Sequence, residues 1–258
     1  MKRSLAAFAL IALAAACAPA QAEKLVSSLS THQVMISSSF TGTELVLFGS
    51  VERDGSTVPR RGGYDLVVTV AGPRQTLVTR KKDRVLGIWA NAESRAFTEA
   101  PTYLAVLSNR PIDAITTPET MQKLGLGLAN VPFFQQAGIS KVLTVPDDTF
   151  RNALIRLKGT HGLYREENNA VTFLTPNLFR ASIQIPAEAP LGTYEVDIKL
   201  FADGASLAQT TSALEIVKVG IEQYVASTAR DHALLYGLAT MLMALATGWL
   251  ASVIFRRD

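Results

Sequence analysis

The sequence predicts a mainly β protein: an Ig-like antiparallel sandwich, in one or two regions, with a helical insertion and one C-terminal transmembrane helix. Three observations carry this expectation. Short β-rich runs broken by Gly, Pro and Asp occupy residues 23–117 and 166–218, as antiparallel sandwiches require. Residues 118–165 between them change to helical spacing. Finally, an unbroken apolar run from Ala233 to Phe255 precedes a short tail at residues 256–258, Arg256-Arg257-Asp258. At helical rise that run covers about 34 Å, enough to cross a hydrocarbon core of about 30 Å.

The chain opens with a targeting pattern. Lys2-Arg3 form a basic start, Ser4 to Ala16 an apolar stretch too short to span comfortably, and Ala20-Gln21-Ala22 a small-residue cleavage site. Residues 1–22 therefore read as a signal peptide cut before Glu23. The rival reading is a lipidated Cys17 after three alanines, but Ala14 stands where such sites carry leucine. Cys17 is the only cysteine, so cleavage at Ala22 excludes disulfides, thiolate catalysis and cysteine–metal sites from the mature chain.

Charge argues against a polyanionic partner. Of 25 Lys and Arg, four lie at the two ends (Lys2, Arg3, Arg256 and Arg257), as does Asp258 of 22 acidic residues. The region between is formally neutral, so the basic pI is no sign of nucleic-acid binding.

Along the exported region, Leu45–Gly49 follows the turn signal Thr41-Gly42-Thr43, and Tyr64–Val70 gathers Tyr64, Leu66, Val68 and Val70 on one face. Gly72-Pro73 breaks that run; further strands are expected at Thr76–Arg80, Arg84–Ala90 and Thr102–Ser108. Thr117 and Pro118 mark a helix start running toward Asn130. Asp147-Asp148 precede a second helix with Phe150, Leu154 and Leu157 on the apolar side, Arg151, Arg156 and Lys158 outward, and Gly159 and Gly162 at its end.

The clearest pattern lies near residue 200. Tyr194, Val196, Ile198 and Leu200 alternate with Glu195, Asp197 and Lys199, which predicts one buried and one wet face. Asp203-Gly204 supplies a hairpin turn, and Ala205–Val217 returns. Pro190-Leu191-Gly192-Thr193-Tyr194 has the form of a tyrosine corner, where the phenol bonds the upstream backbone. Residues 219–232 suit a juxtamembrane amphipathic helix leading into the span.

No residue pattern announces chemistry. His32, expected in a strand, His161 and His232 have no partner at ligand spacing, so no metal, cofactor or catalytic residue is assigned. The paired carboxylates Asp147-Asp148 read as caps and Glu166-Glu167 as a solvated turn; neither pair can make a glycosidase dyad alone. An enzyme is not expected. Two candidate contact surfaces remain. Arg80, Lys81, Lys82 and Arg84, with Trp89 nearby, read as a charged hairpin tip that could dock a partner. Thr240, Ala244, Gly248 and Ser252 recur every four residues as a ridge of small side chains for packing a partner helix, in another membrane protein or a homodimer.

Thr41-Gly42-Thr43-Glu44-Leu45, Lys82 to Trp89, Ala100-Pro101-Thr102-Tyr103 and Pro190 to Tyr194 also resemble an uncharacterised family of alphaproteobacterial transmembrane proteins. The resemblance covers essentially the whole mature chain. It implies an exported domain with one C-terminal anchor, encoded beside permeases of the sulfite-exporter type, and it brings no activity or catalytic residues to carry over. The expected function is thus a periplasmic interaction module anchored in the bacterial inner membrane, C-terminus cytoplasmic, with service as an accessory subunit of a multi-pass permease as its expected role. The alternative is a tethered domain binding a small molecule or glycan, with Trp89, Tyr64 and Tyr103 as candidate pocket aromatics.

Overall fold

The computed structural model describes residues 23–53, 63–85, 87–137, 140–220 and 229–254. The expected signal peptide with its cleavage site and Cys17, most of the juxtamembrane helix, and the tail 256–258 lie outside the described residues.

Alternating side chains build two sheets that share one core. The first runs β1 (Lys24–Leu29), β3 (Gly42–Glu52), β12 (Leu178–Pro186) and β11 (Val171–Phe173). The second has six strands in the order β10 (Tyr164–Asn168), β7 (Leu104–Ser108), β4 (Asp65–Ala71), β13 (Gly192–Ala202), β14 (Ala205–Lys218) and β2 (Gln33–Ile36). Only the β10–β7 and β14–β2 pairings of these two sheets are parallel. Strands from residues 23–117 and 166–218 pair directly in both sheets, so the two β regions form one sandwich.

The register explains the core. Leu45, Leu47 and Gly49 stand opposite Ile183, Ala181 and Phe179, and all but the glycine belong to the same buried cluster as Leu66, Val68, Val196 and Ile198. Gly49 is required by that packing, because a Cβ there would lie 2.2 Å from the Phe179 ring. The expected turn after β13 is present, with Asp203 at φ 51° and Gly204 at φ 82°, the left-handed pair that two-residue hairpins favour.

Two tyrosines tie the layers together. The Tyr194 hydroxyl donates to the Pro190 carbonyl at 2.7 Å, as the corner motif anticipates. Tyr103, just before β7, donates across to the Gln184 carbonyl of β12 at 2.7 Å, and the two rings lie 5.5 Å apart. Burial pushes both phenols well above their ordinary pKa.

Several local expectations change. The helical stretch contains α1 (Ile112–Ile115), α2 (Pro118–Leu124) and α3 (Thr149–Thr160), but also a hairpin of β8 (Phe134–Ala137) and β9 (Ser140–Leu143). Those strands have four residues each, too short to show periodicity. Thr117 does cap α2, yet the helix ends at a left-handed Gly125 rather than near Asn130. Asp148 caps α3, accepting the Arg151 N–H at 2.9 Å. Arg151 faces inward and is buried, whereas Leu157 is 51% exposed; the covered face runs through Phe150, Arg151 and Leu154. Glu166 and Glu167 lie on β10, not in a turn, and His32 precedes β2 rather than lying in a strand. The apolar C-terminal helix is α4 (Ala233–Ile254).

Buried polar groups make a paired test of these contacts. Tyr194→Phe should cost about 1–3 kcal/mol because it leaves the Pro190 carbonyl without its donor. Thr79→Val removes a buried hydroxyl that has no partner and should leave stability unchanged or raise it by up to about 1 kcal/mol. Urea melts of the full chain in detergent read both; equal losses would contradict the assignments.

Candidate functional site: a basic arm and a charged cleft

Beyond the sandwich, β5 (Arg74–Val85) and β6 (Ile88–Pro101) form a long antiparallel hairpin whose third neighbour, β8, meets β6 only at Phe97 and Thr98. The outer half is therefore a two-stranded arm. Its base is held by Arg95, which pairs with Asp148 and places its guanidinium 4.7 Å from the centre of the Phe150 ring. The sequence pattern suggested two shorter strands around a charged turn. Instead the strands stay paired as far as Val85 and Ile88, and Arg80, Lys81, Lys82 and Arg84 all lie on β5. Backbone pairing overrides their turn-like composition because alternation lets every charged side chain reach water along a ribbon exposed on both faces.

Arg84 stands opposite Trp89 in the register, and Val85 opposite Ile88. Trp89 is 69% and Ile88 72% exposed. Three local features shape the end of the arm: Gly87 at φ 86°, the Arg84 N–H bonded to the Asp83 carboxylate at 2.7 Å, and Arg84 Nε reaching the Gly87 carbonyl at 3.4 Å. The expected docking residues are thus brought to one end of one arm. Tyr64 and Tyr103, by contrast, are core residues, so the suggested aromatic pocket with Trp89 does not form.

A second site went unread in the sequence. The outward face of the six-stranded sheet is not uniformly wet. At one end Val67, Val106 and Phe201 bury against Ile112, Ile115 and Leu126. Where that cover stops, a cleft of about 370 Å³ opens over Thr69, Asp197 and Lys199. Lys199, expected to be solvated, is buried at 8% exposure. Its ammonium pairs with the Asp197 carboxylate, whose other oxygen accepts from Gln209 Nε2 at 2.8 Å. Four basic side chains line the cleft (Arg74, Lys123, Arg151 and Lys199) against one acid, Asp197.

Arg151 shapes one wall. It donates to the carbonyls of Ala129 at 2.6 Å, Val131 at 3.1 Å and Pro146 at 3.1 Å, and its guanidinium lies 5.4 Å from the centre of the Phe133 ring. Burial draws its pKa below the ordinary arginine range, with Asp148 and Asp147 opposing. The signal for this site was the Asp197-x-Lys199 doublet itself, which strand alternation assigns equally well to water or to a covered face.

On α4, Thr240, Ala244, Gly248 and Ser252 follow one another at single-turn spacing, and a Cβ added at Gly248 would meet nothing within 4 Å. The Thr240 hydroxyl bonds back to the Tyr236 and Gly237 carbonyls, which leaves its methyl as part of the shallow surface. Among the described residues no group of three or more His, Cys, Asp or Glu is placed to hold a metal. His161 ends α3, with Nδ1 3.4 Å from the Glu188 carboxylate.

Sandwich, arm and, among the described residues, one helix long and apolar enough to cross a membrane define a membrane-tethered β protein. The chain belongs to the family described as "Putative transmembrane protein (Alph_Pro_TM)", whose model matches residues 24–257. No curated protein matches it in sequence. Among solved structures, the N-terminal domain of the Streptococcus gordonii adhesin Sgo0707 is similar over 75% of this chain and 32% of its own, at 7% identity and a TM-score of 0.28. The chain thus spans under a third of that structure's length, and so slight a likeness carries no argument.

Proposed function

We propose that this protein is a non-catalytic interaction module, exported to the periplasm and anchored in the bacterial inner membrane, where it serves as an accessory subunit of a multi-pass permease. The observation that carries this reading is the arm. It holds Arg80, Lys81, Lys82 and Arg84 beside exposed Ile88 and Trp89, away from the sandwich core. Arginine and tryptophan supply a disproportionate share of binding energy in protein interfaces, because each offers a large contact area with a polar handle.

The span is the second contact. Helices in lipid gain little from hiding leucine, so association depends on close backbone approach across small residues such as Ala244 and Gly248. Orientation follows from the N-terminal signal and from Arg256-Arg257, which favour the cytoplasmic side. A C-terminal alkaline phosphatase fusion should accordingly be inactive and a fluorescent protein fusion bright; the reverse pattern would overturn the topology.

Co-purification from native membranes in mild detergent tests the module itself. Arg84→Glu with Trp89→Ser should release the partner while moving stability by no more than about 0.5 kcal/mol, since both sites are exposed. Ala244→Leu with Gly248→Leu should leave insertion intact but block close helix approach. Retention of the same partner by both double variants would sink the proposal.

The second reading, a tethered domain that binds a small molecule or glycan, finds support in the cleft over Asp197 and Lys199 rather than in the aromatic residues.

A further inference from the structure

We propose that the cleft on the outer face of the six-stranded sheet binds a small organic anion, a carboxylate or phosphate carried on an apolar body, with the Lys199 ammonium as its central contact. This deepens the small-molecule reading and does not depend on the docking arm.

Position comes first. Lys199 lies on β13, a strand paired on both sides, opposite Val67 of β4 and Gln209 of β14. The strand cannot turn the side chain away without moving Tyr194, Val196, Ile198 and Leu200 out of the core. Only 11% of the Lys199 side chain is exposed. A lysine ammonium has three donors, and Asp197 accepts one of them. The other two remain for whatever occupies the cleft.

Charge sets the class of occupant. Asp197 is already engaged on both oxygens, by Lys199 and Gln209, so it offers little further compensation. Arg151 hydrogen-bonds to backbone carbonyls through its guanidinium, and Asp148 and Asp147 offset part of its charge from nearby. Arg74 and Lys123 are exposed members of the lining and add positive charge toward solvent. A concave site with an excess of one sign of charge and low-dielectric walls concentrates small ions of the opposite sign. A neutral ligand would gain nothing from that field, and a cation would be repelled.

The walls and size set the rest. Leu104, Leu124, Val131, Leu143 and Pro146 face the same space, which suits an apolar body behind the charged group. A volume near 370 Å³ sits at the small end of ligand sites and admits a compact molecule, not a polymer.

Isothermal titration of the full chain in phosphatidylcholine nanodiscs, at constant ionic strength, tests this with benzoate, phenyl phosphate and the neutral isostere benzamide. Saturable binding of benzoate or phenyl phosphate at one per chain is expected, at least about tenfold tighter than benzamide. The preferred anion identifies the headgroup. Lys199→Gln should weaken it at least about tenfold, while Arg180→Gln on the other sheet should not change it. If Lys199→Gln fails to fold, the exposed pair Arg74→Gln with Lys123→Gln decides, with a loss of about tenfold expected. Benzamide binding as tightly as the anions would overturn the anion assignment and leave a small-molecule pocket standing. No saturable binding of any probe would overturn both. Unchanged affinity in the deciding variant would remove the cleft as the site.

Discussion

At one end the six-stranded sheet is covered on both faces, and the rest of the molecule is arranged around that constraint. Its inner face packs Leu66, Val68, Val196, Ile198 and Leu200 into the sandwich core. Its outer face carries a second buried cluster that holds Val67, Val106 and Phe201 under α1 and the segment after α2. Central strands β4 and β13 therefore have no free face to slip toward. A shift of one residue would exchange the two sets of side chains and expose one of them. This fixes the register of β13, and with it the placement of Asp197 and Lys199 where the outer cover ends. Burying that pair is costly unless its partners are well placed; the Gln209 amide supplies one of them.

The two proposed contact surfaces differ in physical character. The arm is a ribbon with few neighbours beyond Thr79 and Arg95, so little of the folding energy depends on its outer residues. That leaves Trp89 and the basic cluster open to a partner at little cost to the sandwich. The apolar helix meets a different solvent. Within lipid, its leucines gain nothing from leaving one apolar surface for another, and its small-residue ridge is the feature that permits close packing. A tethered domain with one contact in water and one in lipid would bind a membrane partner at two points, each raising the effective concentration of the other.

Much of the fold was legible because period-two patterns are explicit wherever one face is buried. β4 and β13 were evident for that reason; part of β3 was legible as a short β-rich run after a turn signal, and the Asp203-Gly204 turn, the Tyr194 hydroxyl bond and the Thr117 and Asp148 caps from their local motifs. The misses share a cause: alternation says which residues lie together but not what covers them. Lys199 read as solvated because the cover comes from α2, the segment around Asn130 and β9, distant in sequence. Arg151 read as outward because a guanidinium satisfied by backbone carbonyls is a tertiary arrangement with no local signature. Charged residues on β5 looked like a turn, since a ribbon wet on both faces has no hydrophobic period.

The central claim is that the arm's tip meets another membrane protein. Photo-crosslinking in native membranes tests it most directly, with a benzophenone side chain in place of Trp89 and, as reference, of the exposed Thr172 on β11. The account predicts a light-dependent adduct with one membrane protein from position 89 and none from position 172. No adduct from position 89, or the same adducts from both, would contradict it.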